Sequence, residues 1–343
     1  MPLHTGWESA DRRGVSAESV CLGAIDVSGT PPLWGVFEAS GSVVEYGTAP
    51  AHRGAGGAEM AEFLAALAKS VADRCQERGR RLSALGVAAP GRVDQAAGAV
   101  DFTAAHQVGW LTTPVRETLI EAAGVPASVV SEWHARVLAE QDYGQARGCS
   151  DFVLVWLGSV VGGGVVSGGK ALLGAHAVSG ALGHFPCYPD GNRCSCGRLG
   201  CLEAYANAKA LVGFTQGRYR TAEDVVRGAQ AGEHTALSAV KRQAGALGWA
   251  MAALVRVLDP ELFVLAGPLA ERNEVLLREV EAELALRLAP PDARNLRVRA
   301  SKLGDRAALW GAAAAAARLS GKWKDAHHRS PGRRARSGAA SLH

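Results

Sequence analysis

The sequence predicts an α/β protein of two domains that share one plan. The chain has 343 residues, more than a single hydrophobic core usually serves, and 48% of them are hydrophobic, enough for two cores. Two distant stretches show the same order of apolar strand, glycine-containing turn and second strand: "VCLGAIDVSGTPPLWGVFEASG" at residues 20–41 and "DFVLVWLGSVVGGGVVSGG" at residues 151–169. This repetition indicates a duplicated architecture.

The first half is predicted to run β-β-β-α-β-α. Three strands follow one another from Val20, each bounded by Gly or Pro. The next segment is a helix that ends near Arg80, because Met60, Phe63, Leu64, Leu67 and Val71 form one apolar stripe. The run "LSALGVAAPG" at residues 82–91 is a buried strand. The helix at residues 113–124 is expected to begin at a Thr cap followed by Pro and to end at Gly124.

The second half is predicted to add helices and strands in alternation. They are the strand at 127–131, a helix from about Glu132 to Gln145, the two strands of the repeat, a helix near 235–258, a strand at 261–267, a helix at 269–288 and a strand at 296–301. A last helix at about residues 305–320 consists almost wholly of small residues. Such a helix fits only where backbones approach closely, so we expect it to pack between the two halves.

Charge and hydropathy set the domain limits and exclude some classes of protein. We expect a disordered extension at 1–19, a small domain at 20–130 completed by the last helix, a larger domain at 131–304 and a disordered basic tail at 321–343. The tail holds six Lys or Arg against one Asp, a charge of +5, so the rest of the chain carries about −1 of the total net charge of +4. No basic face for nucleic acid is therefore implied for the folded part. A nucleic-acid role of the tail itself stays open. With no signal peptide or long apolar segment, we expect a cytoplasmic protein without membrane contact.

The cysteine-rich stretch "GHFPCYPDGNRCSCGRLGCLE" at residues 183–203 predicts a metal site. His184, Cys194, Cys196 and Cys201 supply the one imidazole and three thiolates of a tetrahedral structural zinc. Four protein ligands leave no position for a reactive water, so the zinc would not be catalytic. Buried free thiols are the alternative, and Cys187 is a weaker candidate ligand. Seven cysteines, an odd number, argue against a disulfide framework.

The turn "DVSGT" at residues 26–30 could bind phosphate. Asp26 ends a strand and could reach a Mg²⁺ ion, while Ser28, Gly29 and Thr30 offer hydroxyl and backbone donors. The pattern alone is a weak signal, and an ordinary turn after a strand is the alternative.

The string G-H, nine residues, C-x-C-G-x-x-G-C-L-E resembles the signature of the ROK family of repressors and sugar kinases, and the resemblance runs from about Val20 to Leu319. It implies the two-domain actin-like (ribonuclease H-like) ATPase fold, with ATP, Mg²⁺ and a polyol substrate in the cleft between the domains. It also implies that the zinc loop, residues 184–201, braces a substrate site. We expect a homodimer, the commonest symmetric assembly.

The resemblance assigns the nucleotide site to three glycine-containing turns. "DVSGT" is the first phosphate motif, and "LGSVVGGGVVSGGK" at 157–170 is the second, with Val160 in place of a usual glycine. "VLAGPL" at 264–269 is the adenosine-side turn, with Ala266 and Pro268 as departures. The implied nucleotide-binding residues are Asp26, Ser28, Gly29, Thr30, Gly158, Ser159, Gly162, Gly163 and Gly267.

The substrate and catalytic positions depart from the family pattern. Ser131 and Glu132 stand where ROK kinases have an Asn-Asp pair, so Glu132 would be the general base with a carboxylate displaced by one methylene. The other implied substrate contacts are His106, His184 and Glu203, while Ala181 replaces a glutamate. A rewritten sugar-facing set favours an amino sugar or a cyclitol over glucose.

The alternatives to such a kinase are a catalytically lapsed sugar-binding protein, a plain glucokinase and a sugar-responsive repressor. The repressor is disfavoured because only about 19 residues precede the first strand, too few for a helix-turn-helix domain. Trp133, in place of a small residue, could line the pocket, although a core position is favoured.

Overall fold

Two five-stranded sheets of identical strand order form the centre of the molecule. The computed structural model describes residues 19–52, 57–102, 110–111, 113–290 and 295–321. The strands are β1 Val20–Asp26, β2 Leu33–Glu38, β3 Val43–Thr48, β4 Arg81–Ala89, β5 Arg92–Asp94, β6 Ala99–Phe102, β7 Ala127–Ser131, β8 Phe152–Leu157, β9 Val161–Ser167, β10 Lys170–Ala171, β11 Leu262–Ala266 and β12 Arg297–Ala300. The helices are α1 Gly57–Glu77, α2 Val115–Ala123, α3 Glu132–Asp142, α4 Glu203–Ala206, α5 Ala208–Gly213, α6 Ala222–Gln230, α7 His234–Leu258, α8 Glu274–Arg287 and α9 Ala307–Leu319.

The two sheets confirm the predicted duplication. Their orders are β3-β2-β1-β4-β7 and β10-β9-β8-β11-β12. In the first sheet β2 is antiparallel to both β1 and β3, while β4 and β7 run parallel to β1. In the second sheet β9 is antiparallel to both β8 and β10, while β11 and β12 run parallel to β8. The C-terminal ends of the three parallel strands therefore lie at one edge of each sheet, where α/β proteins bind their ligands.

The helices form three layers around the sheets. α1 and α2 cover one face of the first sheet, and α9 covers the other. α3 packs on α9 and on β9, so these two helices lie between the sheets, while α4–α8 enclose a large apolar core on the far side of the second sheet.

The small residues of α9 allow backbones to touch. A Cβ at Gly311 would lie 1.7 Å from the carbonyl oxygen of Ala135 in α3, and a Cβ at Gly86 in β4 would lie 1.9 Å from that of Ala312. Neither position has space for any side chain. The alanine-rich sequence of α9 is thus explained by its place between a sheet and a helix.

Several predicted boundaries were wrong. α2 begins after an N-cap Pro114 that makes no side-chain capping bond, and Thr113 instead donates its hydroxyl to the Gly57 carbonyl at 3.1 Å. α3 ends three residues earlier than expected. α8 begins at Glu274, five residues later than expected, because the side chain of Asn273 caps it.

Some predictions concern parts that the structure does not describe. Residues 1–18 and 322–343, on which the predictions of disorder fall, lie outside the described residues, and so does His106. The domain limits stay predictions. Within the described ranges, no helix combines the length and apolar character needed to cross a bilayer.

Candidate active site

Two carboxylates lie at the edge of the first sheet where its parallel strands end. Asp26 ends β1 and pairs with Ala88, while Ser131 ends β7 and pairs with Ala89 on the other side of β4. Glu132 follows as the first residue of α3. With strands about 4.8 Å apart, the backbones that carry these two acids are separated by roughly 10 Å.

Asp26 is almost fully buried beneath an open turn. Its Oδ1 accepts hydrogen bonds from the backbone N–H of Ser28 at 3.0 Å and from the Ser28 hydroxyl at 2.6 Å. Burial raises the pKa of Asp26, whereas the Ser28 hydrogen bonds and the charge of Arg136 oppose that rise. Gly29 and Thr30 are exposed, and no atom lies within 4 Å of the Cβ position of Gly29. The turn therefore presents its donors to free space.

Glu132 has the electrostatic environment of a general base. Partial burial raises its pKa to about 7; the negative charge of Asp26 adds to the rise, and the Arg136 guanidinium opposes it. A carboxylate with a pKa near neutrality is well matched to accepting a proton at physiological pH.

The corresponding edge of the second sheet brings the other two glycine turns together. Gly267 follows β11 with φ +91°, and a Cβ there would lie 2.5 Å from the carbonyl oxygen of Leu157 at the end of β8. The Leu269 N–H donates to that same oxygen at 3.2 Å. In the turn that joins β8 to β9, Ser159 is exposed and Gly158 is buried.

The glycines of β9 face in opposite directions. A Cβ at Gly162 would lie 2.6 Å from the indole of Trp133, and one at Gly163 would lie 2.1 Å from the Leu154 carbonyl oxygen. Gly162 therefore faces α3 and the space between the sheets, whereas Gly163 is needed for close packing against β8 of its own sheet. Trp133 is only partly buried, so it is not a core residue.

The predicted zinc ligands converge. The ligand atoms of His184, Cys194, Cys196 and Cys201 all lie within 4.8 Å of one another. The His184 Nδ1 to Cys194 Sγ distance and the Cys196 Sγ to Cys201 Sγ distance are both 3.7 Å. Sulfurs bound tetrahedrally at about 2.3 Å from zinc lie about 3.8 Å apart, so the four groups fit this metal. All of these cysteines are free thiols, and Cys187 lies outside the group.

Backbone contacts hold the loop in this shape. Gly200 has φ +74°, and a Cβ there would lie 1.5 Å from the Tyr188 carbonyl oxygen, so only glycine fits. The N–H groups of Cys194 and Gly200 donate to the carbonyls of Arg198 and Asn192 at 2.8 and 2.9 Å. The ligand geometry is thus built into the fold of the loop.

The profile of the ROK family matches residues 22–318. The chain belongs to the ROK family. It is 29% identical to a glucokinase of Halalkalibacterium halodurans over 306 residues, which cover 84% of this chain and 92% of that enzyme. A ROK hexokinase from Thermus thermophilus has a solved structure that matches with a TM-score of 0.73 and 32% identity, covering 88% of this chain and 99% of that one.

A ROK family transcriptional regulator, described as a homolog of the E. coli MLC protein, matches with a TM-score of 0.80 at 22% identity, over 89% of this chain and 80% of the regulator's. At this identity the likeness shows the fold alone. Together the neighbours confirm the two-domain actin-like ATPase fold.

The positions that the ROK pattern assigns to the substrate differ in their surroundings. The Ser131 hydroxyl caps α3 by accepting from the His134 N–H at 3.3 Å. Glu203 is buried, and its two oxygens accept from the Val161 N–H at 3.0 Å and the Ser195 hydroxyl at 2.6 Å. Glu203 therefore links the zinc loop to β9, next to the second phosphate motif.

Sequence reasoning missed Arg136. This residue lies one helical turn beyond Glu132, and its guanidinium stacks on the Trp156 ring at 3.8 Å. Burial raises the pKa values of Asp26, Glu132 and Glu271, which come from three separate segments, and the charge of Arg136 opposes each rise. The available signal was a single cation in the otherwise apolar stretch "ARVLA", which begins three residues after Glu132.

Proposed function

We propose that this chain is an ATP- and Mg²⁺-dependent kinase that phosphorylates a hydroxyl, most simply a primary one, of a hexose-like polyol. The observation that carries the proposal is the placement of Asp26 and Glu132 at the ligand edge of one sheet, with the glycine turns at the matching edge of the other. The family supports the same activity, since glucokinases and a hexokinase are among its members.

Each part of the site has a role in phosphoryl transfer. Glu132 would accept the proton of the attacking hydroxyl, and its pKa of about 7 suits that step. Asp26 would hold Mg²⁺, because Ser28 fixes its Oδ1 and leaves Oδ2 for a ligand. When bound, Mg²⁺ would neutralise charge on the phosphates. The turns at Gly29, Ser159 and Gly267 would receive the nucleotide.

The cysteine loop would bind a structural zinc. Its Cys₃His donor set and the 3.7 Å sulfur separation suit a closed tetrahedral site. Through Glu203 the loop is tied to β9, so the metal would stiffen the wall that faces the substrate.

The substrate is proposed to be an amino sugar or a cyclitol. Ser131 and Ala181 would not provide the contacts of the usual Asn and Glu, and the Ser131 hydroxyl is already used to cap α3. A site with a changed set of partners discriminates strongly between polyols.

A second candidate function is that of a sugar-binding protein without turnover. The Trp133 indole lies directly against Gly162 of the second phosphate motif, and Val160 replaces a glycine there. Both side chains would leave less space for a phosphate group beside the second phosphate motif.

Calorimetry and ADP release across a panel of sugars, amino sugars and cyclitols separate the two functions. A kinase releases ADP with at least one polyol, whereas tight polyol binding without ADP release in any mixture supports the lapsed protein. In the kinase, Glu132→Gln should abolish turnover and keep substrate binding. Glu274→Gln is the matched control, since Glu274 is also the first residue of its helix but is exposed. Full activity of the Glu132→Gln variant would exclude this residue as the base.

A further inference from the structure

Arg136 is a nearly buried cation in α3. Only 9% of the residue is exposed to solvent. Within the described part of the chain, its Nε and Nη1 atoms are buried and make no hydrogen bond. Buried donors in native proteins nearly always have a partner, and leaving a charged one unpaired is costly. The missing partner is therefore expected to be a ligand.

The position of Arg136 indicates where that ligand lies. The guanidinium stacks on Trp156, whose indole in turn lies 3.0 Å from the Cβ positions of both Gly158 and Gly267. Arg136 is thus held beside the second phosphate motif and the adenosine-side turn. Arg136 also lies one helical turn after Glu132 in α3, and its charge opposes the rise in the pKa values of Glu132 and Asp26 that burial causes. The guanidinium is therefore held near two of the three glycine turns, on the helix that begins with Glu132.

The chemistry of the group selects a phosphate. Stacking covers one face of the guanidinium and fixes its plane, so the Nε–H and Nη1–H groups are held in place as charge-assisted donors for an oxyanion. Three carboxylates, those of Asp26, Glu132 and Glu271, act electrostatically on Arg136. These acids would repel a polyphosphate unless a fixed positive charge offsets them.

We infer that Arg136 binds the terminal phosphoryl groups of the nucleotide and supports the charge that develops on them during transfer. This inference rests on the proposed kinase function. It adds a residue to the phosphate site that none of the three glycine motifs contains. The competing explanation is that Arg136 only neutralises the three carboxylates and touches no ligand.

Nucleotide calorimetry with the Arg136→Met variant tests the inference. Methionine keeps an apolar side chain on Trp156 but removes the donors. The affinity for MgATP should fall roughly 10- to 100-fold, the loss typical of one or two charge-assisted hydrogen bonds, while the affinities for adenosine and for the polyol stay within about twofold. Arg242→Met is the matched control and should change nothing, because Arg242 also stacks on a ring, that of Phe214 at 4.5 Å, but is exposed.

Two results would overturn the inference: an unchanged MgATP affinity, or equal losses for adenosine and MgATP. If the methionine variant does not fold, Arg136→Lys decides. That variant keeps the charge and loses the planar fork, so a drop of about fivefold or more for MgATP supports phosphate contact, and wild-type affinity supports simple neutralisation. A wild-type chain that binds no MgATP contradicts the proposed function as well, whereas normal wild-type binding with an indifferent Arg136 variant contradicts this inference alone.

Discussion

Replacing Glu132 by glutamine should change how the stability of the ligand-free protein depends on pH. The folded chain holds the Glu132 proton up to about pH 7, whereas the unfolded chain releases it near the ordinary value of 4.5. Because the folded state binds more protons in this window, wild-type stability falls as pH rises through it. Glutamine binds no proton in this pH range and makes no such pH-dependent contribution, so the free energy of unfolding of the variant should increase relative to that of wild type as pH rises.

The two pKa values set the size of the effect. Between pH 5 and pH 8 they integrate to about 2.5 kcal/mol in the free energy of unfolding. Since the Glu132 side chain keeps some contact with water, we treat this value as an upper limit and expect about 1 to 2.5 kcal/mol. At roughly 2 to 4 °C per kcal/mol, the variant should melt a few degrees above wild type at pH 8 relative to their difference at pH 5.

Thermal unfolding of wild type, Glu132→Gln and the control Glu274→Gln at pH 5 and pH 8, without nucleotide, measures this difference. The control should follow wild type at both pH values, since Glu274 is exposed. A Glu132→Gln variant that parallels wild type, or loses stability at pH 8, would show that the Glu132 carboxylate is not destabilised in the folded state. The electrostatic basis for its role as a base would then be lost.

Three other predictions follow. With the cognate polyol, kcat/KM should rise about tenfold per pH unit up to about pH 7 and then level, because Glu132 must be ionised to accept a proton; a rate that is flat from pH 5 to 8 would contradict this. Metal analysis should find one zinc per chain, and Cys201→Ser should remove most of it and lower the melting temperature; a zinc-free wild type that is equally stable would disprove a structural metal. Gly311→Ala should cost more than about 3 kcal/mol, because its Cβ meets the Ala135 carbonyl, whereas Gly245→Ala, a helical position with open space, should be neutral or stabilising.

Local signals were sufficient to predict the clustering of one histidine with three cysteines, and the glycine turns. The predicted zinc ligands fall within one loop, so their spacing alone brings them together, and the structure places their four ligand atoms within 4.8 Å of one another. The glycine turns follow strands, and the two-sheet repeat carries them to matching edges. Features that depend on distant residues were not predictable. The stacking of Arg136 on Trp156 joins α3 to β8, and the contact of Trp133 with Gly162 joins α3 to β9.

The predicted N-cap of α2 was wrong for a related reason. Thr113 precedes a proline and looks like a cap, but its hydroxyl reaches the Gly57 carbonyl of another helix instead. The tertiary partner competes with the local one, and the sequence of α2 contains no information about it.

The position of α9 has a consequence for biosynthesis. The first sheet emerges early from the ribosome, yet one face of its core is supplied by α9, which is among the last parts of the described chain to be made. Translation proceeds at roughly 5 to 20 residues per second, so this face of the sheet stays without its native cover for some tens of seconds. The N-terminal half is thus first to be synthesised and last to be finished, and a nascent chain stalled before α9 would present an apolar strand surface to chaperones.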